Sequence, residues 1–334
     1  MKRLALLVFG IAWACISQAQ SPQWNEIITP VKASLRGLSP VSAQVCWASG
    51  SGGTWLRTTD GGLTWRHGII AGLDTVDFRS IHAFDENTAI AASAGQPALI
   101  FRTSDGGESW QRVHQETDVE AFFDGISFAS RKRGFVIGDP IDGRWMILET
   151  DDGGLSWKRM EDVPTATIGE AAFAASASSL IATKDGLVFG TGGTVSNLHF
   201  YRFHGGNWSK RQTPILQGKS SQGIFAIAYT DAGLVAVGGD YTKAEQRDAN
   251  ASIFAGDSFL LPNPTPSGYR SGITYWRKKS LTVAVGPAGS DFSRDGGKSW
   301  QSFSSTGFHA VKTSGRQDAI WASGSDGRIG FLMP

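Results

Sequence analysis

The chain has 334 residues, with 31 lysines and arginines against 30 acidic residues, a formal net charge of +1. That balance supplies no basic field of the kind that holds nucleic acid or an anionic membrane surface. Its 42 glycines, 12 tryptophans and two cysteines, set among short apolar runs, exclude a disulfide scaffold and indicate an all-β protein.

The first 19 residues have the layout of a secretory leader. Lys2 and Arg3 form the basic start, Leu4 to Ile16 the apolar stretch, and Ser17-Gln18-Ala19 a small-residue cleavage site. The apolar stretch is short for a membrane span, and no later segment is long and apolar enough to be one. Cys15 follows Ala12-Trp13-Ala14, a poor lipobox, so cleavage near Ala19 is expected in place of a lipid anchor. Residues 20–334 are expected to form one monomeric domain, exported to the periplasm or the extracellular space, with no integral membrane span. Cys46 is then the remaining cysteine, and Val45-Cys46-Trp47 reads as a buried strand. No Cys/His group has zinc spacing, and Gly190-Thr191-Gly192-Gly193 opens no helical pattern, so neither a metal nor a nucleotide cofactor is expected.

A phrase then recurs along the chain. Thr58 to Trp65 (TTDGGLTW) returns as Thr103 to Trp110, Thr150 to Trp157 and Ser293 to Trp300. The aspartates are Asp60, Asp105, Asp152 and Asp295, the first three about 45 residues apart and the last three further units on. A period of this length signals a repeat architecture. Asp-Gly between apolar runs is a hairpin signal, because glycine adopts the positive φ of tight turns and the carboxylate accepts amides of its own loop. Trp65, Trp110, Trp157 and Trp300 open the following strand and have a large surface to bury against a neighbouring unit. The phrase reads as a structural clasp between two strands.

Seven units can be phased, starting at Ser34, Asp77, Phe122, Gly169, Gln222, Tyr269 and Phe308. The fourth has a degenerate clasp at His204 to Trp208, and the fifth has no clasp beyond Gly256-Asp257. Four-stranded blades of this length give a seven-bladed antiparallel β-propeller. The last unit is one strand short. Gln23-Trp24-Asn25-Glu26-Ile27 is expected to pair with it and close the ring, with Trp24 standing where a clasp tryptophan would.

The first strand of each unit carries a polar residue followed by a small one: Arg36-Gly37, Arg79-Ser80, Asp124-Gly125, Glu170-Ala171, Gln222-Gly223, Arg270-Ser271 and His309-Ala310. On the innermost strands these residues would ring one mouth of the central channel. Loops carrying Asp139, Asp240, Tyr241 and Asp291 would open on the same face, with the clasps on the other. Two readings stand side by side. The ring is either a mutually satisfied collar around a wet channel, or a ligand site in which Arg36, Arg79, Gln222, Asp240, Arg270 and His309 receive an acidic group.

The phrase resembles the Asp-box, or BNR, repeats of sialidase-like β-propellers. That resemblance implies a box joining the third and fourth strands of each blade, away from the active face. The whole mature chain is similar to the photosystem II stability/assembly factor-like branch of these propellers, through VDFRSIHAF (76–84), GDPIDG (138–143), GEAAFAAS (169–176), VGGDY (237–241), GYRSG (268–272) and GFHAV (307–311). It implies a binding or assembly module that presents its ring face to a protein or an acidic glycan. A sialidase-like hydrolase or lyase is the alternative that the wider resemblance implies. In that case Arg36, Arg79 and Arg270 would clamp a carboxylate, Glu170 with Tyr241 would be the nucleophile pair, and Asp124 or Asp139 the acid. Two departures stand against it: the N-terminal Phe/Tyr-Arg-Ile-Pro string of sialidases is absent, and there are seven units instead of six.

Overall fold

The computed structural model describes residues 21–333; the expected leader and Cys15 lie outside them. The described residues form seven antiparallel sheets arranged as the blades of a propeller. Helical structure among them is limited to two three-residue 3-10 turns, Arg277–Lys279 and Ser325–Gly327.

The first blade runs outward through Leu35–Pro40, Cys46–Gly50, Thr54–Thr58 and Arg66–Ile69. The second comprises Asp77–Ala83, Ala89–Ala94, Leu99–Thr103 and Gln111–Gln115, and the third Phe123–Phe128, Gly134–Ile141, Arg144–Thr150 and Lys158–Arg159. The sixth comprises Gly272–Trp276, Leu281–Gly286, Gly289–Ser293 and Gln301–Ser304. The strands Leu35–Pro40 and Cys46–Gly50 bury almost every side chain, whereas outer ones such as Gln111–Gln115 stay largely exposed. Apolar clusters fill the spaces between blades: Ile90 and Ile100 of the second pack with Phe123, Val136 and Trp157 of the third.

The seventh blade draws on both ends of the described chain. Ala310–Thr313, Ile320–Ser323 and Ile329–Leu332 supply three strands, and Asn25–Ile27 pairs antiparallel with the last, Asn25 opposite Phe331 and Ile27 opposite Ile329. Trp24 is buried against Phe303 and Phe308, with ring centroids 5.7 and 5.2 Å away. Its indole N–H donates to Ser290 Oγ of the sixth blade at 3.0 Å.

The four clasps share one geometry. In the third blade, Thr150 Oγ1 donates to Asp152 Oδ1 at 2.7 Å and accepts the Gly154 amide at 3.0 Å. Asp152 also accepts the Ser156 amide and hydroxyl, at 3.1 and 2.6 Å. A Cβ on the second glycine would strike the preceding blade each time: Ile27 at Gly62, Trp55 at Gly107, Ile90 at Gly154 and Val235 at Gly297. The glycine therefore permits close approach of blades as well as a positive φ. The tryptophans reach the same way, Trp65 edge-on to Trp321 and Trp110 edge-on to Trp47. A clasp is thus both a hairpin and a staple between neighbouring blades.

The fourth unit differs from its expected phasing. Its inner strand is Leu180–Ala182, not the segment at Glu170, followed by Gly186–Gly190, Asn197–Arg202 and Asn207–Gln212. Glu170–Ala171 pairs instead with Gly192–Gly193, which pairs with Lys219–Thr230. With Gly233–Asp240, Ala251–Ala255 and Ser258–Leu260 this makes the fifth sheet six-stranded. The cause is an excursion of the chain. Between Ala172 and Ser179 it leaves the sheets and crosses the propeller axis. Within this run, Ala175 O accepts from Arg36 Nη1 of the first blade (3.2 Å) and Ser176 Oγ donates to Ser271 O beside the sixth (2.6 Å). Ser178 O accepts the Ile227 amide of the fifth (2.9 Å). Contacts with blades so far apart are possible only near the axis, where alanine and serine are small enough to fit. The segment plugs the channel, leaving a separate cavity at each end.

Candidate ligand-binding mouth

The mouth on the side of the strand starts is a cavity of about 370 Å³ floored by Phe173, Ala174 and Ala175 of the plug. Arg36, Arg79, His309 and Tyr241, all anticipated from sequence, line it. Three residues that sequence reasoning did not single out complete the wall. Phe173 stacks on Phe225 at 3.9 Å, and Tyr269 stands edge-on to Phe225 at 4.7 Å. A signal for them existed, since Phe173 and Tyr269 lie inside the strings GEAAFAAS and GYRSG and Phe225 follows Gln222-Gly223.

Its electrostatics are one-sided. Burial and the neighbouring Arg79 guanidinium lower the pKa of Arg36, opposed by Tyr269 and Asp77. Arg79 pairs with Asp77 at 3.0 Å, both side chains about one-third exposed. Burial first, then Arg36, Arg79 and Arg328, push His309 down to about 4, so its ring is neutral at pH 7. His309 Nε2 lies 3.3 Å from Ser34 Oγ and 3.0 Å from Ser325 Oγ. No carboxylate side chain lines the cavity among the described residues.

Other expected ring residues serve the scaffold. Arg270 is fully buried, its Nε 2.6 Å from Asp291 Oδ2, and it also donates to Ser267 Oγ and Tyr269 O. Gln222 Nε2 donates to Asp240 Oδ2 at 3.1 Å, and Asp240 Oδ1 accepts both the amide and hydroxyl of Thr242. Burial opposes ionisation of Asp240, but those bonds, from Thr242 and Gln222 above all, hold its pKa down to about 2.

Of the acids expected to do chemistry, Asp124 and Asp139 interact with each other, but Glu170 is held apart and none of the three lines the mouth. Glu170, placed by the plug outside the mouth, has both oxygens engaged: Oε1 accepts from Thr191 (2.6 Å), Asn197 (2.9 Å) and His199 (2.8 Å), and Oε2 from the Thr167 amide (2.8 Å). Burial disfavours the anion, yet these bonds win and hold its pKa down to about 2. Tyr241 is not among its partners; its half-exposed ring stands 6.2 Å from Phe225. Asp139 Oδ1 accepts the Ala172 amide at 2.9 Å, and burial raises its pKa. Asp124 is buried, and neither oxygen makes a hydrogen bond of good geometry, the Ala174 amide of the plug being its nearest donor. Burial and then Asp139 push its pKa well up against the pull of Arg79 and of the Ala174 amide. The arrangement suits recognition of an anion beside an apolar group more than bond cleavage by paired carboxylates.

Comparison with known proteins agrees with this architecture. The family profile described as "Photosynthesis system II assembly factor YCF48" matches residues 16–121. The photosystem II assembly lipoprotein Ycf48 of Synechococcus sp. (strain CC9902) is 29% identical over 121 residues, covering 35% of this chain and 36% of that relative. The match thus spans about a third of the curated relative's length. A solved YCF48 bound to D1 peptide superposes with a TM-score of 0.63 at 17% identity, covering 95% of this chain and 96% of that one. YCF48 from Cyanidioschyzon merolae gives 0.60 at 18%, covering 93% and 99%. U3-55K gives 0.64 at 10%, covering 94% and 100%, so at these identities the likeness speaks for the fold alone. The chain is a BNR-repeat, seven-bladed β-propeller that resembles the photosystem II assembly factors.

Proposed function

We propose that the protein is an exported docking module of the assembly-factor kind, whose plugged mouth receives a carboxylate-bearing segment of a protein partner. The observation that carries this is the pair Arg36 and Arg79 in an aromatic-walled cavity that no carboxylate lines. Arg36 has a backbone carbonyl as its hydrogen-bond partner, and the Arg79 guanidinium, itself paired with Asp77, makes the charge of Arg36 less favourable. An incoming carboxylate relieves that repulsion, and a guanidinium fork receives it in two parallel hydrogen bonds. Phe173, Phe225 and Tyr269 then offer an apolar wall to the residue beside it. The solved relative bound to D1 peptide supports a protein segment as ligand. The leader-like layout of residues 1–19 and the lipoprotein relative support export. A single, monomeric propeller suffices for this task.

The test is fluorescence anisotropy of the mature protein with short labelled acidic peptides, each made with a free and an amidated C-terminus. The expected result is binding that weakens with salt and falls about tenfold or more in Arg36→Ala/Arg79→Ala. Equal binding by the double variant overturns the reading. So does a ligand profile restricted to acidic oligosaccharides, which would move the site to glycan recognition.

A further inference from the structure

The opposite end of the channel, below the plug, is a second cavity of about 340 Å³, within the range of about 300–1,000 Å³ usual for small-molecule sites. Its floor is the other side of the plug, Ala177 and Ser178, and it shares no lining residue with the Arg36 mouth. We propose that this cavity is a separate ligand site that takes a small monocarboxylate with an aromatic or apolar body, its charge held by Lys312.

Lys312 sits on the innermost strand of the seventh blade, partly buried, and its ammonium has no hydrogen bond or ion pair among the described residues. An unpaired ammonium in such a place costs stability, and a hydrophobic residue would fit the strand better. Among the described residues, no acidic side chain lines the cavity to compensate it. Tyr275, which lines the cavity, donates its hydroxyl to Asp231, which does not line it.

The other groups facing Lys312 carry no charge at pH 7. Burial, then Lys312 and Arg131, push His82 down to about 3. Burial pushes the Cys46 thiol well up, against the pull of Lys312. Burial lowers Lys312 itself to about 8, opposed by Cys46, so it is still mainly protonated at pH 7. An anion beside it would raise that value and stabilise the complex.

The walls decide the rest of the ligand. His82 stacks on Phe128 with ring centroids 4.5 Å apart, and Tyr229 is half exposed at the rim. One ammonium with no second cation and no glycine-rich amide cradle matches a single negative charge, which favours a carboxylate over a phosphate. The aromatic walls match an aromatic or branched apolar body.

The probe is 3-phenylpropionate, titrated into the mature protein at pH 7 and followed by methyl NMR, with 3-phenylpropionamide as the neutral control. Saturable shifts are expected at the Ile181 and Ile227 methyls, which line this cavity and not the other. The amide should bind about tenfold more weakly or worse, as should the acid in Lys312→Met, a variant expected to melt at or above the wild-type temperature. Raising the pH to 9.5, above the Lys312 pKa of about 8, should weaken the acid and leave the amide unaffected. If Lys312→Met fails to fold, the acid–amide comparison on the wild type decides alone. The proposal is overturned if no saturable shift appears at these methyls by about 20 mM, or if acid and amide bind equally. Because the readout lies below the plug, its failure leaves the docking function above the plug standing.

Discussion

Ser176 donates its hydroxyl to the carbonyl of Ser271 at 2.6 Å, and through that bond the chain between the third and fourth blades is tied to the sixth. Ser176 is fully buried, as a residue on the propeller axis must be. The bond anchors the partition between the two mouths. It also explains why Glu170, a few residues upstream, is displaced from the inner strands to the edge of the fifth sheet.

Asp124 supplies the first prediction. Its folded-state pKa is raised, so it stabilises the fold at low pH, and that contribution is lost as pH rises through the raised pKa. Asp124→Asn removes the penalty of burying the anion. Its melting temperature should exceed that of the wild type at pH 8 and match it near pH 3. A loss of stability at pH 8 would mean that the ionised carboxylate has a partner.

Glu170→Gln tests whether this acid is structural. The amide places a donor where Thr167 N–H, or Thr191, Asn197 and His199, now donate. A buried unsatisfied polar group costs roughly 1–3 kcal/mol, and more for a charged one. The variant should melt at a lower temperature while peptide binding at the Arg36 mouth persists. An unchanged melt accompanied by lost binding would put Glu170 back in the site.

Closure of the ring depends on Trp24. Trp24→Ala removes the contacts with Phe303 and Phe308 and the hydrogen bond to Ser290, and large aromatic-to-alanine truncations cost about 3–5 kcal/mol. Deletion of residues 21–28 should cost more, because it also exposes the edge of Ile329–Leu332. Chemical denaturation checks both; a midpoint equal to that of the wild type would show that the terminal strand contributes nothing.

The clasps should make the fold acid-sensitive. Asp60, Asp105 and Asp152 are each held down to about 2, mainly by hydrogen bonds from the box hydroxyls and amides, which outweigh burial at Asp152. A depressed carboxylate pKa stabilises above the unfolded value of about 4, and that contribution fades as pH falls through 2. Melting temperature should drop steeply across this window. Thr150→Val, which strands the Gly154 amide, should cost roughly 1–3 kcal/mol at neutral pH. A pH-independent melt between 4 and 2 would contradict the account of the boxes.

The repeat made the fold legible. Asp60, Asp105, Asp152 and Asp295 set the period, and the period set seven blades. The ring was legible in part. Arg36, Arg79 and His309 meet because strands in the same phase present the same position to the axis. Arg270 and Gln222 have that phase too, but Asp291 on the third strand of the sixth blade and Ser267 engage Arg270, and Asp240, opposite Gln222 on the adjoining strand, engages Gln222; such side-chain pairings leave no trace in a periodic alignment. The plug was illegible for a related reason. Ala174 to Ser179 reads as a run of small residues beside the channel, and nothing in its composition distinguishes running along the axis from crossing it. The aromatic wall of Phe173, Phe225 and Tyr269 follows from that crossing.

Ligand is expected to enter at the plugged mouth, opposite the clasps. Hydrogen–deuterium exchange of the mature protein, with and without a bound acidic peptide, tests it most directly. New protection is expected at Phe173–Ala175 and at Tyr269–Ser271, absent in Arg36→Ala/Arg79→Ala. Protection confined to the Asp60, Asp105, Asp152 and Asp295 turns, with none at the plug, would contradict it.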